Sequence, residues 1–289
     1  MRVLISGGRG QLATDLARLL PPEDVCTLGH DELDITQTAH LQRVIRDRAP
    51  DVFVNTAAFH HVDRCETEPE MSFAVNAAAV QRLAAACKEQ GVKLVHISTD
   101  YVFGGRRSTP YGEDDPVDPV SVYGASKAAG EMAIRCTLSD HIIVRTTGLY
   151  GLAGRTSQRG NFVETMLRLA LSGERISIVA DQTLTPSYTR DVAETLIMLM
   201  RLDATGTYHV TNDGACSWYE FAREVFRVAR MTVDVHAVAQ GDRRASAARP
   251  TYSVLGKGRL ASLGIRPRRW TDALAAYVDE RNSESAACV

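Results

Sequence analysis

Val3-Leu4-Ile5-Ser6-Gly7-Gly8-Arg9-Gly10-Gln11-Leu12-Ala13 is the stretch that decides the fold. Four residues of strand-like sequence run straight into a glycine turn spaced Gly7-x-x-Gly10-x-x-Ala13, and an amphipathic stretch follows over Gln11–Leu20. In such a turn the first glycine makes the bend. The second lets backbone N–H groups approach a pyrophosphate at the positive end of the helix, and a small third residue lets helix and strand pack closely. The strand–turn–helix context raises this pattern above a chance glycine cluster and predicts a dinucleotide-binding turn built from Gly7, Gly10, Gln11 and Leu12.

The same rhythm continues outward. Val25–Leu28, Val52–Asn55, Leu94–Ser98, Ile142–Thr146 and Ile176–Val179 are short runs rich in Val and Ile, apolar on both faces, as parallel strands buried between two helix layers are. Between them, Ala39–Arg48, Ala74–Gln90, Tyr123–Cys136, Phe162–Ser172 and Asp191–Arg201 have helical periodicity. The expected fold class is α/β: a Rossmann-type doubly wound parallel sheet with a small C-terminal substrate-binding lobe. Residues 1–160, with parts of 175–215, are expected to form the dinucleotide-binding domain. Residues 161–175 and 215–281 would form the lobe, and 282–289 a flexible tail. Past residue 200 come a short strand at Thr207–Val210, a helix opened by the capping box Ser217-Trp218-Tyr219-Glu220, a polar irregular stretch over 236–258 and a last helix over Thr271–Glu280.

Composition excludes several classes. The 289 residues are 45% hydrophobic and 24% charged with a formal net charge of −2, which is globular and carries no basic footprint for nucleic acid or an anionic membrane. No apolar run approaches the roughly 18 residues of a membrane-spanning helix. The first strand begins without a signal-peptide layout, and the six cysteines lie far apart with no metal-like spacing. A cytoplasmic protein with reduced thiols is expected. Cys87 and Cys216 read as small buried hydrophobes, and Trp218, Tyr219 and Phe221 as packing residues of their helix.

At the tip of the second strand, Gly29 stands where NAD-specific enzymes place a carboxylate, while Arg9 and His30 suit a 2′-phosphate. This favours NADPH, with NADH still admissible. Asp34 and Ile35 are placed to clamp an adenine, and Thr56, Ala57 and Ala58 are small enough for close backbone approach to the cofactor. The fourth strand delivers Ser98-Thr99-Asp100-Tyr101 at its carboxyl end, and Tyr123-Gly124-Ala125-Ser126-Lys127 opens a helix. Tyr123 and Lys127 are one helical turn apart and share a face. A tyrosine of ordinary pKa, about 10, is expected to be pulled down by the neighbouring ammonium. The Thr99 hydroxyl is positioned to hydrogen-bond a reacting carbonyl.

These motifs, with Gly130-Glu131, Asn161-Phe162-Val163-Glu164, Asp181-Gln182, Cys216–Ala222 and Arg249-Pro250-Thr251-Tyr252-Ser253, cover nearly the whole chain in order. The sequence resembles the extended short-chain dehydrogenase/reductases and, within them, the dTDP-4-dehydrorhamnose reductase family. The resemblance implies NADPH-dependent reduction of the C4 ketone of a dTDP-linked 4-keto-6-deoxy sugar to dTDP-L-rhamnose. In that reading Tyr123 is the proton donor, Lys127 holds the nicotinamide ribose, and Thr99 steadies the carbonyl. Asp100, Tyr101, Asn161, Arg249 and Ser253 would grip the sugar nucleotide, and a homodimer is the family's usual state. Related dehydratases carry a glutamate where this chain has Tyr101, so elimination is disfavoured.

Two departures stand out. Arg145-Thr146-Thr147-Gly148-Leu149-Tyr150 lacks the tryptophan that the family shows at the position of Gly148, and His60-His61 replace the small hydroxyl residue usual there. His60, His61 and Cys65 lack the spacing of a metal site, and no metal is expected. The alternatives are another nucleotide-deoxysugar 4-ketoreductase, or a non-catalytic binding subunit resembling the regulatory subunit of methionine adenosyltransferase.

Overall fold

Val3 and Ile5 pack against one layer of helices and Leu4 against the other, and Val52 and Val54 alternate with Phe53 in the same way. This is why the strands are apolar at every position. In the computed structural model, which describes residues 1–155, 160–242 and 247–287, these strands are β1 (Val3–Ser6), β2 (Val25–Leu28), β3 (Val52–Asn55), β4 (Lys93–Thr99) and β5 (His141–Thr146). Together with Gly206–His209 they form one six-stranded parallel sheet, ordered Gly206–His209, β5, β4, β3, β1, β2. The direction of winding reverses between β1 and β3, and the carboxyl ends of the strands flanking that point are where such sheets bind ligands. One face is covered by helices Gln11–Leu19 and Thr189–Arg201, the other by Thr38–Arg48 and Ala79–Gln90.

Three sequence expectations change. Ile176–Val179 does not join the main sheet; it pairs in parallel with Val235–Val238, which overlaps the start of the stretch expected to be irregular. The sixth sheet position is taken by Gly206–His209, beside β5. The expected helix from Ala74 instead opens with a π-helical turn over Ala74–Ala78. Such turns re-aim side chains, and here Asn76 bonds both the N–H and the carbonyl of Phe59, at 2.9 Å each, pinning the loop after β3.

A third apolar cluster lies outside the sheet layers. It gathers Val163, Met166 and Leu167, Ile176 and Ile178, Phe221, Val225 and Phe226, and Leu274, Tyr277 and Val278. The capping box is complete: Ser217 N–H donates to Glu220 at 2.7 Å, and Glu220 N–H to the Ser217 hydroxyl at 3.1 Å. The last helix spans Trp270–Ala287, passing the expected end at Glu280, and Glu284, in the segment expected to be a flexible tail, pairs with Arg18 and Arg155. Residues 288–289 of that segment lie outside the described residues. Cys87 and Cys216 are buried and unpaired with another cysteine. No described helix is long and apolar enough to cross a membrane.

Candidate active site

The glycine turn meets the end of β3. Gly7 has φ +70°, and a Cβ there would stand 2.6 Å from the Thr56 hydroxyl, which itself donates to the Ser6 carbonyl at 2.7 Å. Gly10 caps the helix Gln11–Leu19 without a side-chain bond, and no acidic residue occupies its first turn. The helix therefore opens onto the cavity with bare backbone amides and positive dipole, as a diphosphate requires. Gly10, Gln11, Leu12, Thr56 and Ala58 form this end of a cavity of about 400 Å³. Ala57 is different: its N–H is spent on Asn55 at 3.1 Å. Asp34 accepts from the Thr36 amide and hydroxyl at 2.9 and 2.7 Å, and Ile35 is buried in the core; neither lines this cavity. Arg9 lies against Gly29 at the tip of β2 and pairs with Asp31 at 3.0 Å.

The other end of the cavity brings Thr99, Asp100, Tyr101, Tyr123 and Lys127 together. Thr99 donates to Asp100 at 3.0 Å, accepts from Tyr101 N–H at 3.2 Å, and touches the Tyr123 hydroxyl. The Tyr101 and Tyr123 rings meet edge to face at 5.7 Å. Burial raises the Tyr123 phenol above its ordinary range, against the Thr99 bond, so the expected depression by Lys127 does not hold: Tyr123 is a protonated phenol at neutral pH. Burial also pushes Tyr101 up to about 12 and brings Lys127 down to about 8, with Glu131 opposing the latter. Lys127 Nζ donates to the Ile97 carbonyl at 2.6 Å and stands 3.0 Å from His96 Nε2.

The five residues assigned to the sugar nucleotide divide. Asp100 is buried and accepts from Thr99, Thr147 and Ser253, while burial raises its carboxyl. Ser253 and Tyr101 line the cavity with it. Arg249 lies just behind the wall, bonded to Tyr101 and paired with Asp63 at 2.9 Å. Asn161 is not in the wall. Its oxygen caps the helix Phe162–Ser172 through Glu164 N–H, and its amide donates to Gln11 and to the Gly151 carbonyl. The Gln11 side-chain oxygen also accepts from Gly151 N–H, so Gln11 and Asn161 join the first helix to the segment that follows β5.

A family model described as the RmlD substrate binding domain matches residues 1–283. The chain belongs to the RmlD family. It is 40% identical over 284 residues to the spore coat polysaccharide biosynthesis protein SpsK of Bacillus subtilis, covering 98% of each chain. It is also 40% identical to a probable dTDP-4,6-dihydroxy-2-methyloxan-3-one 4-ketoreductase of Streptomyces antibioticus, covering 95% of this chain and 93% of the relative. Among solved structures, the dTDP-4-dehydrorhamnose reductase of Bacillus anthracis in complex with NADP superposes with a TM-score of 0.92 at 38% identity, covering 96% of this chain and 99% of that one.

Several residues of this RmlD-family site escape sequence reading. Thr146 lines the cavity with a buried hydroxyl that has no hydrogen-bond partner among the described residues, a polar atom left for a ligand. Trp218, expected only to pack, does both: its ring meets Phe162 tilted by 41° at 4.6 Å between centroids, and it forms cavity wall with Gly148, Gln182 and Leu184. His60, already singled out in the sequence as a departure, joins the wall too, its ring stacked on His61. Glu131 is fully buried in a two-pronged pair with Arg145, at 2.9 and 2.7 Å, and accepts from Ser98 at 2.6 Å, locking the Tyr123–Lys127 helix to β4 and β5. Among the described residues no three His, Cys, Asp or Glu side chains converge as a metal site.

Proposed function

We propose that this chain is an NADPH-dependent reductase of the C4 ketone of dTDP-4-dehydro-6-deoxy-L-mannose, giving dTDP-L-rhamnose. The observation that carries this reading is the continuity of one cavity from the glycine turn to Thr99, Tyr123 and Lys127. NADPH, when held by the glycine turn and Lys127, would supply the hydride for the sugar C4. Thr99 holds the carbonyl oxygen, and as the C–H bond forms the carbonyl π pair moves onto that oxygen. Tyr123, kept as a phenol by burial, gives its proton to the developing alkoxide. Lys127 anchors the nicotinamide ribose and its positive charge favours the phenolate left on Tyr123. Thr146, Asp100, Ser253 and Trp218 surround the sugar. Arg249, held by Asp63 and Tyr101, is placed for the diphosphate.

Arg9 against Gly29 supports NADPH over NADH, because a guanidinium at that strand tip suits a 2′-phosphate. We divide the chain into a dinucleotide-binding domain, 1–160 with parts of 175–215, and a substrate lobe, 161–175 and 215–281, on the strength of the separate third core. Cytoplasmic location, a homodimer and indifference to nucleic acid and membranes rest on composition and family resemblance.

Another 4-ketoreductase activity is the second reading. Gly148 leaves the sugar wall to Trp218, and the Streptomyces antibioticus relative carries a 4-ketoreductase name. Loss of NADPH absorbance with enzymatically generated dTDP-4-dehydro-6-deoxy-L-mannose, followed by NMR of the product, tests both. dTDP-L-rhamnose supports the first reading and the other C4 epimer the second. Tight NADPH binding without turnover of this keto sugar overturns the first reading and points to another keto sugar or to a binding subunit.

A further inference from the structure

Ser6, Asn55 and His96 stand side by side across β1, β3 and β4, in register, and all three are buried. The direction of their hydrogen bonds follows from one backbone group. Ala57 N–H can only donate, so its partner at 3.1 Å is the Asn55 side-chain oxygen, which also accepts from Ser6 at 2.8 Å. The Asn55 amide is thereby oriented, and its NH2 faces His96 Nδ1 at 3.1 Å. A neutral imidazole carries one N–H, so with Nδ1 accepting the proton sits on Nε2. That nitrogen is 3.0 Å from Lys127 Nζ. An Nε2–H facing an ammonium sets donor against donor, whereas facing an amine it meets a lone pair.

We propose that His96, oriented by Asn55, is a positioning residue for Lys127: by presenting Nε2–H to Nζ it favours the amine over the ammonium. Taking up a proton at Lys127 then requires His96 to move its own proton to Nδ1, at the expense of the Asn55 bond. His96 does not line the cavity. The downward shift of Lys127 by burial agrees with this assignment. None of the other groups facing Lys127 adds to the preference for the amine. Glu131, on the same helix, favours the ammonium and is itself committed to Arg145 and Arg135. Asp100, at the end of β4, bonds to Thr99, Thr147 and Ser253; Tyr123, on the Lys127 helix, is a neutral phenol, as is Tyr101 past β4, and Cys65 beside Tyr123 is a neutral thiol.

The proposal deepens the reductase reading and rests on it only for its kinetic arm. Without substrate, protein labelled with 15N-histidine is examined by NMR at about pH 9.5, with the His96 signals assigned by their displacement in Lys127→Met. The neutral Nε2–H tautomer is expected; the Nδ1–H tautomer or an imidazolium would overturn the proposal whatever the enzyme turns over. In the kinetic arm, the alkaline limb of kcat/KM reports loss of the Lys127 ammonium. Both His96→Leu and Asn55→Ala are expected to move its midpoint upward by about one pH unit, the scale of one lost or gained hydrogen bond to a charged group. A fall in kcat with the midpoint unmoved in whichever variant folds would mean a purely structural role and would overturn it.

Discussion

Gly124 lies against the carbonyl oxygen of Tyr101, closer than any Cβ could tolerate, with Pro119 also close to the position a Cβ would take. This contact lets the helix Val122–Thr137 settle onto the turn after β4 and places Tyr123 against Thr99. Because the obstacle is backbone, Gly124→Ala is expected to cost about 1–3 kcal/mol of stability, the range for overpacking a close contact. Thermal denaturation reads that loss. kcat should fall further than NADPH affinity, since the displaced group is Tyr123; equal kcat would show that the phenol's placement does not depend on this approach.

Tyr123→Phe keeps the ring against Tyr101 and removes the proton. Reduction is expected to slow by about 10²–10⁴-fold, the usual weight of a general acid, while the Kd for NADPH, measured by calorimetry, stays near that of the unaltered protein. Near-normal turnover would remove Tyr123 from the mechanism.

Among the described residues Arg9 forms an ion pair with exposed Asp31, and it borders Gly29. Arg9→Ala should lower the preference for NADPH over NADH by on the order of tenfold, the weight of one charge-assisted contact to a phosphate. Steady-state comparison of the two cofactors checks it, and an unchanged ratio would place the 2′-phosphate elsewhere.

Burial alone would push the Glu131 carboxyl up, but Arg145, Ser98 and Arg135 hold it below its ordinary value. A depressed folded pKa contributes stability that is complete above the unfolded value, about 4.5, and is lost as pH falls through the folded one. Denaturant melts between pH 7 and pH 3 should show this acid-side loss. Glu131→Gln should flatten it and cost about 3–5 kcal/mol at pH 7, because the Arg145 charge stays buried without its partner.

Trp218→Ala opens the sugar end of the cavity. KM for the keto sugar is expected to rise about tenfold, comparable to losing one hydrophobic wall, with NADPH affinity unchanged. A change in cofactor affinity instead would reassign this wall.

Much of the molecule was legible because its signals are local. The helix Phe162–Ser172 and the capping box at Ser217–Glu220 match their sequence reading, since periodicity and caps act within one or two turns. The glycine turn and the Tyr123–Lys127 pair were legible for the same reason. The resemblance placed Asp100 and Ser253 in one site, and they touch.

What the sequence by itself determined was element type, the turn that opens the first helix, and the order of the chemical groups along the chain. Tertiary structure alone decided which strand Ile176–Val179 pairs with, that Asn161 caps a helix and bonds Gln11, and that His96 stands beneath Lys127. The physical reason is the range of the interactions. A short apolar run exposes the same backbone valence to any neighbour, so its partner is chosen by global packing. A polar side chain has a fixed number of donors and acceptors, and the groups that fill them, Gln11 for Asn161 and Asn55 for His96, come from distant parts of the chain.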